Sequence, residues 1–155
     1  MTNEKRVLAG RVRTELSAVA VVVDRAVQAW HSDDKYFLDS VALNLHSFYA
    51  GLERVFQLIA SHIDGFAPQC EGWHRELLCQ MASEIPELRP PILSAQTKSR
   101  LDPYRGFRHV VRNVYIFEID AELIKPLVDG LVDVFSLVNM ELEEFLRFLE
   151  DADRQ

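Results

Sequence analysis

The chain has 155 residues, of which 48% are hydrophobic and 26% charged, and its formal net charge at pH 7 is −7. This length and composition predict one domain over residues 1–155, and they exclude disordered and fibrous proteins. The longest apolar run, Ala18 to Val23, is too short to cross a bilayer, and the first residues lack the apolar segment of a signal peptide, so we expect a cytoplasmic protein.

Apolar residues that recur every three or four positions predict two long helices in the first half of the chain. The first runs from residue 4 to about residue 30, and a polar stretch, residues 32–34, ends it. The second runs to about His62. Gly51 interrupts its apolar stripe, and because glycine has no side chain we expect another backbone to approach closely there.

The middle of the chain is predicted to contain shorter elements. A third helix covers Trp73 to Ala82, and residues 84–91 form a connector that holds three of the six prolines. The segment from Ile92 to Leu101 is compatible with a short helix.

The next predicted helix begins at Asp102, a good N-cap residue, with Pro103 at the first helical position. It extends to Tyr115. The last helix covers Ala121 to about Glu150, with Asp120 as its cap. Since no segment alternates apolar and polar residues as a strand does, we expect an all-α antiparallel bundle of four to five main helices.

The helix over residues 102–115 is divided into two halves. Its apolar half contains tyrosine, phenylalanine and valines, and its polar half contains Arg105, Arg108, His109, Arg112, Asn113 and Tyr115. The polar half has two interpretations. One is an ordinary solvated helix face. The other, favoured because no acid separates the three arginines, is a local anion site suited to a short or single-stranded phosphate ligand.

Other candidate sites are weaker. Cys70, His74 and Cys79 are metal-binding residue types, but they lack a fourth ligand nearby, so we expect free buried thiols and neither a metal nor a cofactor. His46 is expected in the core or in an interface. Glu53 either orients an arginine of the 102–115 helix or belongs to a buried structural pair.

The segment FRHVVRNVYIFEID resembles the HEPN superfamily and, within it, the HepT-like ribonuclease toxins. Members typically show an arginine, a polar residue, three further residues and a histidine, then any residue and a tyrosine. In that register the arginine is Arg108, the polar residue His109 and the tyrosine Tyr115, while Asn113 occupies the histidine position. LDSVALNLHSFYAGLERVFQLIA and GWHRELLCQM resemble the second and third helices of such proteins.

The resemblance implies a homodimer in which the motifs of the two subunits share one cleft. This cleft would cleave RNA, either tRNA or mRNA, without a metal. Arginine would stabilise charge on the phosphate and histidine would handle protons. The implied partner is a minimal nucleotidyltransferase (MNT) antitoxin that attaches AMP to the tyrosine. Transferred to this chain, the implied catalytic residues are Arg108, His109 and Asn113, the RNA phosphate-binding residues Arg105 and Arg112, and the AMPylated residue Tyr115.

The asparagine at position 113 leaves two alternatives open, because an amide cannot act as a general acid or base. In one, His109 takes over proton transfer and Asn113 orients the phosphate. In the other, the protein is a non-catalytic dimeric module that uses the same face to bind RNA, a nucleotide or a nucleotidyltransferase.

Overall fold

The computed structural model describes residues 3–152, and five α-helices form a bundle within them. They are α1 (Asn3–Trp30), α2 (Phe37–Ile59), α3 (Trp73–Met81), α4 (Ala95–Asn113) and α5 (Ala121–Ala152). A π-helical turn, Ala60–Asp64, continues α2, and a 3₁₀ turn, Ile116–Glu118, follows α4. Residues 3–152 contain no strand longer than an isolated bridge. The predicted all-α architecture is confirmed.

Helix α2 lies at the centre of the bundle and packs against the other helices. A Cβ atom at Gly51 would lie 2.6 Å from Cγ2 of Val19, so the glycine allows α1 to pack closely on α2. The close neighbour is a side chain and not the backbone that we expected. On another side the buried ring of Phe48 meets Tyr104 of α4 edge-on, with centroids 5.3 Å apart, and Phe135 of α5 at 6.4 Å. These contacts fix α4 and α5 on α2.

The beginning of α4 differs from the prediction. Its N-cap is Ser94, whose hydroxyl accepts from the backbone N–H of Thr97 at 3.1 Å, so the predicted start at Asp102 is wrong. Glu141 of α5 strengthens this cap by accepting from the Ser94 N–H at 3.2 Å and from the Thr97 hydroxyl at 2.9 Å. Pro103 consequently lies inside the helix.

A proline inside a helix costs about 3 kcal/mol, and burial of its neighbours offsets that cost. Leu101 is fully buried, and Tyr104 donates a buried hydrogen bond of 2.6 Å to the carbonyl of Leu127 in α5. Both flanks of Pro103 are therefore held in the helix by tertiary contacts.

The end of α4 also differs from the prediction. The helix stops at Asn113, and Val114 has an extended backbone with φ −123° and ψ 142°. The sequence predicted Tyr115 on the same helical face as Arg108. In the structure Tyr115 lies outside the helix, so this prediction is wrong. The cap of α5 is confirmed, because Asp120 Oδ1 accepts from the N–H of Leu123 at 2.9 Å.

A buried ion pair joins the proline-rich connector to the end of α2. Arg89 donates from Nε and Nη2 to the two carboxylate oxygens of Asp64, at 2.6 and 2.7 Å, and its side chain has no exposed surface. Its remaining N–H groups reach the backbone carbonyls of Ser83, Pro90 and Gln80. The connector therefore has a fixed position relative to α2 and α3.

We expect Arg89→Ala to lower the free energy of unfolding by about 3–5 kcal/mol, because it leaves the Asp64 carboxylate buried and unpaired. Urea denaturation followed by circular dichroism measures the loss. Arg13→Ala is the matched control: Arg13 pairs with Glu143 on the surface, and such pairs contribute about 0–1 kcal/mol. Equal losses in the two variants would contradict the structural role of Arg89.

Candidate functional site

A cleft of about 570 Å³ lies between α3 and α4. Four arginines and a single acid, Glu71, give it a positive charge in a protein whose net charge is −7. The residues lining it are Glu71, Gly72, His74, Arg75, Arg105, Arg108, His109, Arg112 and Asn113. Such a concentration of arginines suits an anionic ligand.

Arg108 is held in the cleft wall by a buried carboxylate. Glu53 of α2 is 3% exposed, and its Oε1 lies 3.3 Å from Nε of Arg108. The two atoms form an ion pair, but they are not aligned as a hydrogen bond, and neither has a hydrogen-bond partner among residues 3–152. Glu53 is thus buried and paired with an arginine of this helix, which agrees with both interpretations given from the sequence.

His74 of α3 is the second partner of Glu53. Its Nδ1 lies 2.5 Å from Oε2 of the carboxylate, and its ring is stacked on Trp73 with centroids 3.6 Å apart. Nη1 of Arg108 is 3.3 Å from Nδ1 and 3.2 Å from Nε2. If Nη1 lay in the plane of the imidazole, it could be equally close to Nδ1 and Nε2 only by colliding with the ring carbon between these two nitrogens. The guanidinium therefore lies over the face of the ring.

Five of the six site residues predicted from the sequence line the cleft: Arg105, Arg108, His109, Arg112 and Asn113. Tyr115 does not, because the chain leaves the helix before it. Although no acid separates the three arginines in the sequence, two of them have acidic partners. Arg105 Nε is 2.8 Å from Oδ1 of Asp102, and Arg108 is paired with Glu53.

His109 and Asn113 lie one helical turn apart on the exposed side of α4. Asn113 donates to the backbone carbonyl of His109 at 2.7 Å, and its amide nitrogen lies 3.4 and 3.5 Å from the two ring nitrogens of His109. The amide of Asn113 therefore helps to close the C-terminal turn of α4, and it lies beside the imidazole.

His74 and Arg75 line the cleft, which was not predicted from the sequence. His74 was considered there only as a possible metal ligand, together with Cys70 and Cys79. His74 faces Glu53 instead, and residues 3–152 contain no group of three metal-ligating side chains placed to hold an ion. The cysteines are free as expected, but Cys70 is exposed and Cys79 half-buried, so the expected burial is wrong. The buried charge of Glu53 was the available signal, since it needs partners from other helices.

His46 lies on α2, two turns before Glu53, and is half-buried. Burial lowers its pKa below the ordinary 6.5, and the positive charges of Arg108 and Arg112 lower it further. The imidazole is therefore electrostatically coupled to two arginines of the cleft.

Comparison with known proteins gives a family match over most of the chain. A family model described as "HepT-like protein" matches residues 40–149, a range that includes α3, α4 and most of α2 and α5. No curated protein and no solved structure matches the chain. Within residues 3–152, no helix is both long and apolar enough to span a membrane.

We expect Arg112→Gln to raise the pKa of His46 towards 6.5, because it removes a positive charge that disfavours the imidazolium. The chemical shift of the His46 ring, followed by NMR against pH, measures it. Arg54→Gln is the control, since Arg54 is paired with Glu15 on another face of α2. A His46 pKa above 6.5 in the wild type, or one unaffected by Arg112→Gln, would contradict the coupling.

The same pKa has a consequence for stability. The unfolded chain binds a proton at His46 more readily than the native protein does. The contribution of neutral His46 to the free energy of unfolding is therefore fully present above pH 6.5. It is lost as the pH falls through the lower native pKa.

Proposed function

The chain belongs to the HepT-like family, and on that basis we propose that it is the toxin of a HEPN/MNT toxin–antitoxin pair and acts as a metal-independent endoribonuclease. The observation that carries the proposal is Arg108, fixed by Glu53 and His74 in the wall of an arginine-lined cleft that opens to solvent. The substrate is RNA, either tRNA or mRNA, and the active form is a homodimer.

The charge distribution supports a nucleic acid ligand of limited size. Arg105, Arg108 and Arg112 follow one another at spacings of three and four residues on α4, and Arg75 faces them from α3. Successive phosphates of a short RNA strand between the two helices neutralise several of these charges. The acidic remainder of the surface repels long duplexes, which favours a single strand or a loop.

The chemistry needs a group that stabilises negative charge and groups that move protons. During attack of the 2′-hydroxyl on the adjacent phosphate, charge develops on the non-bridging oxygens, and a preorganised guanidinium stabilises it. Arg108 is the proposed group. His109 carries a proton, and Asn113 orients the phosphate beside it.

Tyr115 is the proposed site of AMPylation. It is 73% exposed, and its ring is stacked on Phe117, which is 79% exposed. Two other tyrosines are unsuitable acceptors: Tyr49 is fully buried, and Tyr104 is bonded to the Leu127 carbonyl. Tyr115 follows Asn113 by two residues, so an adenylate on it adds negative charge near the cleft and opposes RNA binding.

A second function is favoured by one contact. The amide of Asn113 is bonded to the carbonyl of its own helix, where the resembling proteins have a histidine. A module that binds RNA or a nucleotidyltransferase without cleaving RNA is consistent with that arrangement. Cleavage assays separate the two functions.

We expect the wild-type protein to cleave tRNA in the presence of EDTA and to leave 2′,3′-cyclic phosphate ends. Arg108→Ala should lower the rate by about 10²–10³-fold, because one preorganised donor to the transition state is lost. Gel analysis of end-labelled RNA with enzymatic assignment of the ends measures both.

Arg54→Ala is the matched control, because it removes an arginine of α2 that lies outside the cleft. It should cleave at the wild-type rate. If the wild type binds RNA and leaves it intact over a wide pH range, the binding module is the correct function.

Co-expression with a minimal nucleotidyltransferase should add adenylate mass to the peptide that contains Tyr115, and Tyr115→Phe should abolish the addition. Peptide mass spectrometry makes the measurement. Tyr36→Phe is the control, because Tyr36 is also exposed, at 61%, but lies in the loop before α2. Adenylate on Tyr36, or on no tyrosine, would refute the assignment.

A further inference from the structure

We propose that His74 accepts the proton of the attacking 2′-hydroxyl, with Glu53 as its orienting carboxylate. The inference rests on the proposed ribonuclease function. It assigns proton acceptance to a residue of α3, because Asn113 at the histidine position of the α4 motif cannot accept a proton. It starts from the shortest contact in the cleft, the 2.5 Å between Nδ1 of His74 and Oε2 of Glu53.

A carboxylate at Nδ1 determines which ring nitrogen is available for proton transfer. It holds the proton on Nδ1, leaves the lone pair on Nε2, and stabilises the imidazolium that forms when Nε2 takes up a proton. The Glu53 side chain is 4% exposed, so water competes little for this contact. The pair has the geometry of an activated base.

The ring of His74 is also held on its faces. Trp73 stacks on the imidazole at an interplanar angle of 29°, and the Arg108 guanidinium lies over it. Because the indole already stacks on one face, the guanidinium occupies the other. His74 lines the cleft, and 26% of its side chain is exposed.

His109 has a different environment. It is exposed, and among residues 3–152 the only group within hydrogen-bond distance of its ring nitrogens is the amide of Asn113, at 3.4 and 3.5 Å. No carboxylate of the described residues orients it. His74 and His109 line opposite walls of one cleft, α3 and α4. An in-line displacement at phosphorus needs its attacking and leaving oxygens on opposite sides, which matches two histidines on two walls.

The reaction step balances with these two groups. Nε2 of His74 takes the proton of the 2′-hydroxyl as the bond between the 2′-oxygen and phosphorus forms. The bond between phosphorus and the 5′-oxygen breaks, and the departing oxygen takes a proton from the His109 imidazolium. The products are a 2′,3′-cyclic phosphate and a 5′-hydroxyl, and both histidines regain their starting protonation from water.

His74→Asn tests the assignment, because the asparagine amide can still donate to Glu53 at the position of Nδ1 but cannot accept a proton. We expect cleavage to fall by about 10²–10⁴-fold while the affinity for a 2′-deoxy oligonucleotide, measured by fluorescence anisotropy, stays at the wild-type value. His62→Asn is the matched control, an exposed histidine in the turn after α2 and outside the cleft. It should leave both quantities unchanged.

A second substrate separates the acceptor from the donor. A uridine 3′-phosphate ester of 4-nitrophenol has a leaving group that needs no proton. With it, His109→Ala should regain most of its lost rate, whereas His74→Asn should remain impaired. Rescue of His74→Asn by this ester would overturn the assignment of His74 as the acceptor.

The remaining outcomes are also decisive. If the wild type and His74→Asn cleave RNA at the same rate, this inference alone is overturned. The same holds if His74→Asn loses RNA affinity by the same factor as it loses rate. A wild-type protein that cleaves neither substrate overturns the proposed function and this inference together. If His74→Asn does not fold, nitrogen-15 NMR of the wild type decides: a proton resident on Nε2, or no change at Nε2 on adding a 2′-deoxy dinucleotide, overturns it.

Discussion

The buried carboxylate of Glu53 is the constraint on which the cleft depends. A charge that is 3% exposed is strongly destabilising unless partners from other elements reach it, and here α3 supplies His74 and α4 supplies Arg108. The central helix therefore determines where the two walls of the cleft meet. The same contacts place a guanidinium and an imidazole side by side, in an arrangement that neither α3 nor α4 specifies alone.

Helix α3 shows why such pairs are needed. Nine residues are too few for a helix that is stable by itself. Its first turn is held to α2 through His74 and Glu53. Its last turn is held through Gln80, which donates to Asp64 at 2.7 Å and accepts from Arg89 at its carbonyl. Two buried charged clusters thus fix both ends of the short helix, and the cleft wall it forms is correspondingly rigid.

Periodicity predicted the helices and the core well, because burial of an apolar stripe is a local pattern. It failed where distant residues decide. Ser94 is the cap of α4 because Glu141, 47 residues away, completes its hydrogen bonds, and Pro103 was consequently misinterpreted as a helix start. The arginines of α4 were recognised from their spacing. For Glu53, the acidic partner of Arg108, pairing with an arginine was one of two alternatives, and His74 was missed because it meets Glu53 across 21 residues of sequence.

The asparagine at position 113 has a different meaning once both walls of the cleft are considered together. A histidine there would stand on the exposed end of α4, where His109 already lies without an orienting carboxylate among the described residues. The available carboxylate is that of Glu53 on α2, and it is paired with His74 of α3. In the proposed reaction, phosphate binding belongs to α4 and proton acceptance to α3. Because Glu53 serves both, changes at His74 and Arg108 should be coupled rather than additive: losing either partner leaves the other holding the same buried charge.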